Sequence, residues 1–141
     1  MKPVALVVFI LLTATLHAVP HEATITRWAD FYGVPRWLAL KVAEVESDYR
    51  TDAVSSEGSR GLFQISAKWQ AELAWFAGVH GFRWWNADDS AHVGIAYLAR
   101  LYRYYRDWML ACAAYNCGSG RLESARALPS ETVEYLRRIF G

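Results

Sequence analysis

The chain has 141 residues, 54% of them hydrophobic, which suits one domain with a real core and leaves no room for two comfortable ones. Its formal charge is +1, and removing residues 1–18 takes away Lys2 and leaves 14 Lys and Arg against 14 Asp and Glu. That balance excludes the electrostatic footprint of a nucleic-acid binder and argues against a strongly acidic partner.

Residues 1–18, MKPVALVVFILLTATLHA, have the make-up of a secretory signal. Lys2 is a short positive start, and the apolar run of 13 residues from Val4 to Leu16 is too short for a comfortable membrane span. Ala18 is the expected last residue of the signal, although Leu16 is bulky for its place before the cut. An uncleaved anchor is the alternative. No Cys follows the apolar run, so no lipid anchor is expected. The remaining segment, residues 19–141, is read as one exported domain.

After a polar connector, Val19 to Ala23, the spacing of Ile25, Trp28, Ala29 and Tyr32 predicts a helix from Thr24 to Tyr32, stopped by Gly33. Pro35 suits the first turn of the next helix, where its missing N–H costs nothing. In that helix Leu38, Val42 and Glu46 lie four apart, so Glu46 continues an apolar stripe aimed at the core. A carboxyl held against apolar groups resists ionising, and a Glu that keeps its proton near neutral pH is suited to general-acid catalysis. The competing reading is an idle Glu at a frayed helix end. Glu44 faces away from the stripe and is read that way.

Ser47 to Arg60 reads as a polar loop, with Asp48 and Asp52 expected to cap or hydrogen-bond its backbone. Leu62 to Ile65 is a short apolar run holding one amide, Gln64, and is either a strand or a helix start. Ser66 is the expected N-cap of a helix through Phe76, with Trp69 and Leu73 inward and Gly78 as the stop. Val79 to Asn86, VHGFRWWN, is a loop dense in rings. A long helix is predicted from Asp88 or Asp89 to about Arg106, with Ala91, Gly94, Leu98, Leu101 and Tyr105 on its apolar side and Tyr102 and Tyr104 on a solvated one. Asp107 caps a helix from Trp108 to about Tyr115 that is apolar all round and therefore expected to be central. AAYNCGSGR ends it in a polar turn, and Pro129-Ser130 opens a last helix, Glu131 to Phe140.

The heavy aromatic load of seven Trp, eight Tyr and six Phe fits core packing or a ring-lined groove. On one continuous helix Cys112 and Cys117 would stand roughly 8 Å apart, beyond easy bridging. Two buried small side chains are expected, with a local bridge as the alternative if the helix breaks before Gly118. No His clusters with them, so no zinc site is read. The fold class is mainly α, one domain, with room for a minimal β element after the helix bearing Glu46.

Three stretches, in order, resemble the lytic transglycosylases of the SLT (family 1) type, which have a lysozyme-like fold. Glu46-Ser47 followed by AVSSEGSRGLFQI is similar to that family's ES…AxSxxGxxGLMQ segment. Ala113 to Gly118, AAYNCG, is similar to AAYNAG, with Cys117 where Ala is usual. Pro129 to Tyr135 is similar to PxETxxY, and Gly94 to Leu98 between them is similar to a GxxYL helix. The resemblance covers about residues 25–140. Phe63 stands where Met is common, Ser90 where Asn is frequent, and the Trp84-Trp85 loop has no clear counterpart.

The resemblance implies Glu46 as catalytic acid and base, with Ser47, Gln64, Tyr115 and Asn116 lining a sugar-binding groove and Tyr135 orienting Glu46. It implies cleavage of the β-1,4 bond between N-acetylmuramic acid and N-acetylglucosamine in peptidoglycan strands, forming a 1,6-anhydro sugar, with no cofactor and no metal. A monomer that opens the wall locally for secretion, conjugation or phage assembly proteins is the setting it suggests. The alternatives are a hydrolytic muramidase sharing Glu46 and a non-catalytic glycan-binding module that would not need Glu46.

Overall fold

The computed structural model describes residues 17–141, so the predicted signal segment lies outside the described residues apart from His17 and Ala18. Seven helices and one small sheet make up the described residues. They are α1 (Glu22–Tyr32), α2 (Arg36–Ser47), β1 (Ser59–Arg60), β2 (Ile65–Ser66), α3 (Gln70–Ala77), α4 (Ala87–Tyr105), α5 (Trp108–Cys117), α6 (Ser119–Ser124) and α7 (Ser130–Phe140). No described helix is long and apolar enough to cross a membrane.

The apolar spacings decide which faces meet. Ile25 and Ala29 of α1 and Leu38, Ala39, Val42 and Ala43 of α2 are fully buried. They belong to the same core cluster as Ala91, Ile95 and Leu98 of α4, the long central helix. One side of α4 packs on α1 and another on α5, while α5 and α2 both reach α7. Burial of these side chains, at about 1.5–3 kcal/mol for each large one, is the main stabilising contribution.

Several helix ends differ from expectation, each for a local reason. α4 starts at Ala87 because Asn86 caps it, its Oδ1 accepting the Asp89 N–H at 3.0 Å. Asp88 and Asp89 then sit in the first turn, where negative charge suits the helix dipole. Asp107 caps α5 as expected, accepting the Leu110 N–H at 2.9 Å. Ser66 is not a helix cap: it pairs with Ser59 in the antiparallel ladder, and α3 begins only at Gln70. Trp69 consequently stands outside, under the Lys68 ammonium, and Ala74 is the buried residue of α3.

The Leu62–Ile65 run is neither all strand nor helix start, since Leu62 and Phe63 occupy a turn and only Ile65 joins β2. α5 is buried from Ala111 to Ala114 but exposes Met109 and Leu110 in its first turn. Tyr102 is half-buried because its ring stacks on Trp108 with centroids 3.9 Å apart. The segment after Gly118 forms α6 rather than a simple turn. Both cysteines are free, Cys112 buried and Cys117 half-buried.

Phe63 reaches the centre because Gly94 leaves space for it. A Cβ on Gly94 would stand 2.4 Å from the Cβ of Phe63. Gly94→Ala should therefore lower stability by about 2 kcal/mol in urea denaturation, overpacking outweighing the gain of about 1 kcal/mol in helix propensity. Gly120→Ala, where nothing stands within 4 Å, should be neutral or slightly stabilising in the same measurement.

Candidate active site

Glu46 stands one residue before the end of α2, in line with the buried Leu38 and Val42. The buried Tyr135 of α7 donates its hydroxyl to Glu46 Oε1 at 2.8 Å, joining residues 89 apart in the chain. Burial is the main reason the Glu46 carboxyl is pushed up to about 7, opposed by the Tyr135 hydrogen bond and the positive charge of Arg138, and aided by Glu131. Burial, and next the charge of Glu46, also hold the Tyr135 and Tyr115 phenols well above their ordinary range. Tyr135 is thus a neutral donor at any ordinary pH, and the proton between it and Glu46 belongs to the phenol. Behind the acid, burial pushes the Cys112 thiol up to about 12, so it adds no charge.

A turn from Gly61 to Gln64 forms a second wall, closed by the Gln64 N–H on Gly61 O at 3.1 Å. Hydroxyls from three helices hold it. Ser47 of α2 donates to Leu62 O at 2.8 Å, Tyr115 of α5 donates to Phe63 O at 2.7 Å, and Ser90 of α4 accepts the Phe63 N–H at 3.1 Å. Gln64 itself is left-handed, with φ 49°, and its amide nitrogen donates to Ala53 O at 3.1 Å and Gly61 O at 3.0 Å. Those two carbonyls select the amide nitrogen and turn the amide oxygen away from them.

Asn116, near the end of α5, accepts the Thr132 hydroxyl on its Oδ1 at 2.9 Å. That bond ties α5 to the first turn of α7, the helix that carries Tyr135. It also directs the Asn116 amide nitrogen away from Thr132.

The structure therefore gathers the six predicted residues on α2, the Gly61–Gln64 turn, α5 and α7. Their exposure differs from expectation in one place: Ser47 is buried, its hydroxyl committed to Leu62 O and Ala43 O. It braces the turn from behind and presents no hydroxyl to solvent.

Asp52 does not bond the loop backbone as expected but makes an exposed ion pair with Arg50 at 3.4 Å. Asp48 closes α2 in a left-handed conformation, its backbone N–H on Ala43 O and Glu44 O. Neither is among the charges that shift Glu46. Sequence reading passed over Thr132, Arg138 and the bracing role of Ser90. Spacing on α7 was the available signal, because Glu131, Tyr135 and Arg138 follow at i, i+4 and i+7 along one side.

Among the described residues no three His, Cys, Asp or Glu side chains converge as a metal site. A concavity of about 630 Å³ lies against α1 and α4, lined by Trp28, Phe31, Tyr32 and His92 among others. It holds none of the six predicted residues, and its polar groups are already matched, Tyr32 to His92 at 2.8 Å and the Trp28 indole to Asp88 at 2.9 Å.

Comparison with known proteins bears on the fold and the family of the chain. The membrane-bound lytic murein transglycosylase F of Alteromonas mediterranea is 30% identical over 129 residues, which are 78% of this chain and 25% of that protein. The chain thus spans about a quarter of the length of the curated relative it matches. An inactive mutant of the lytic transglycosylase Slt from Pseudomonas aeruginosa superposes with a TM-score of 0.76 at 26% identity, over 84% of this chain and 22% of that one. The 70 kDa soluble lytic transglycosylase of Escherichia coli shares the fold, with a TM-score of 0.77 at 21% identity over 86% of this chain and 23% of its own. The family model described as Transglycosylase SLT domain matches residues 23–135, from α1 into the first half of α7 and including Glu46 and the Gly61–Gln64 turn, and the chain belongs to that family.

Proposed function

We propose that this chain is a peptidoglycan lytic transglycosylase and that Glu46 is its catalytic acid and base. The observation that carries the reading is a half-buried carboxyl, pushed up to about 7 and held by a phenol at 2.8 Å, beside a braced turn. Most glycosidases set two carboxylates across the scissile bond. Here one acid serves both steps, because the substrate brings its own nucleophiles.

Protonated Glu46 gives its proton to the glycosidic oxygen as the C1–O bond breaks. The acetamido oxygen of the same sugar stabilises the cation at C1. The Glu46 carboxylate then takes the proton of the C6 hydroxyl, and that oxygen closes onto C1. The product is a 1,6-anhydro ring, no water is consumed, and Glu46 ends protonated. Tyr135 positions the carboxyl by donating to Oε1. The Gln64 amide oxygen and the Asn116 amide nitrogen, each turned from its internal partner, present an acceptor and a donor to the sugar amides and hydroxyls. The site of action is outside the cytoplasmic membrane, where peptidoglycan lies, and local wall opening for an envelope-spanning machine is the role that fits it.

Mass spectrometry of the muropeptides released from purified peptidoglycan tests the reading. Products one water lighter than reducing-end muropeptides are expected, and Glu46→Gln should release none while remaining folded. Reducing N-acetylmuramic acid ends would make the enzyme a hydrolytic muramidase, and near-full activity of the Gln variant would remove Glu46 from catalysis.

The acid must be protonated for the first step, so kcat/KM should fall as pH rises through about 7. Tyr135→Phe removes a bond that lowers the Glu46 pKa, so that limb should move upward, with activity reduced but not abolished.

Stability should follow the same group. Folded Glu46 keeps its proton to about pH 7, whereas the unfolded chain releases it near 4.5, so folding takes up a proton between those values and stability declines across that window. Glu46→Gln should therefore be more stable than the parent at pH 8, by on the order of 2–3 kcal/mol, and close to it at pH 4. Thermal unfolding at the two pH values measures the difference.

A further inference from the structure

The Trp84-Trp85 loop is built as a mount. Arg83 to Asn86 is a tight turn closed by the Asn86 N–H on Arg83 O at 3.0 Å. Asp89, in the first turn of α4, accepts the Arg83 backbone N–H and Nε on one oxygen, each at 2.9 Å, and Nη2 on the other at 3.2 Å. The two central residues of that turn have different surroundings. Trp84 is half-buried, with the Arg60 guanidinium 5.4 Å from its ring centroid, and that guanidinium also donates to Gln70 at 3.0 Å. Trp85 is 56% exposed, its ring edge-on to Trp84 with centroids 5.6 Å apart.

The mount is pressed against the wall of the candidate active site. A Cβ on Gly61 would lie 2.1 Å from the Trp84 carbonyl oxygen, so the loop sits where only glycine permits it, at a residue with φ +80°. Gly61 opens the turn that ends in Gln64, and the Gln64 amide nitrogen bonds Gly61 O. Trp85 begins at the backbone atom next to that contact.

An exposed indole on a braced turn offers a large flat apolar face at little cost in side-chain entropy. The C–H-lined face of a pyranose ring is its natural partner, because the polarised C–H bonds meet the electron-rich ring. We propose that Trp85 is a stacking subsite for a pyranose of the glycan strand, extending the groove beyond the Gly61–Gln64 turn, with Trp84 as its anchor. The proposal rests on the glycan reading of the site but not on the chemistry at Glu46.

Binding measured in the Glu46→Gln background separates the two. The probes are peptide-free peptidoglycan glycan strands, sized into tetrasaccharides and long strands. Adding Trp85→Ala should weaken long-strand binding about tenfold and leave tetrasaccharide binding unchanged, since a short probe fills only the centre of the groove. Trp85→Phe should restore most of the lost affinity, because the ring face is kept. Equal long-strand affinity with and without Trp85, or an equal loss on both lengths, would overturn the subsite. Trp85-dependent binding by a parent enzyme that releases no muropeptides would uphold the subsite and sink the catalytic reading instead.

Discussion

The Glu46 carboxyl is pushed up to about 7 because the apolar stripe of α2 carries it partly out of water, and the hydroxyl it meets there is Tyr135 at 2.8 Å. Most of the site's arrangement follows from accommodating that carboxyl. Desolvation disfavours its charge, the phenol and Arg138 partly restore it, and the balance leaves the group near the midpoint of its titration at neutral pH. An acid there can release a proton and take one back within one turnover. The same compromise makes the folded state weaker when the group is ionised.

A second constraint is the turn from Gly61 to Gln64, which has little secondary structure of its own. It is held by side chains instead of by a ladder: Ser47, Ser90 and Tyr115 reach it from α2, α4 and α5. Each bond satisfies a backbone group that burial would otherwise leave unpaired, which costs more than the bond itself contributes. Phe63 fills the room left by Gly94, and the Trp84 carbonyl fills the room left by Gly61. Two glycines therefore set how closely α4 and the Trp84-Trp85 loop approach the turn.

α7 closes the arrangement from the far end of the chain. Thr132 meets Asn116 and Tyr135 meets Glu46, while Glu131 and Arg138 adjust the local potential from the same helix. The helix buries Thr132, Tyr135, Leu136 and Ile139, so its docking and the orientation of the acid are one packing event. Loosening α7 would disturb the carboxyl even with the Gly61–Gln64 turn in place.

By itself the sequence determined the helical class, the apolar faces of α1, α2 and α4, the Asp107 cap and the placing of Glu46 on a buried stripe. Those follow from spacings of three and four residues, which a helix converts directly into a face. The motif pattern also picked out Gln64, Tyr115, Asn116 and Tyr135. Only the tertiary structure decided what each polar group bonds. It turned Ser47 inward to brace the turn, drew Ser66 into a ladder with Ser59, and stacked Tyr102 on Trp108. It brought Tyr135 to Glu46 across 89 residues and gave Ser90 the Phe63 N–H across 27. Such pairings depend on where distant segments dock, and local periodicity carries no record of that.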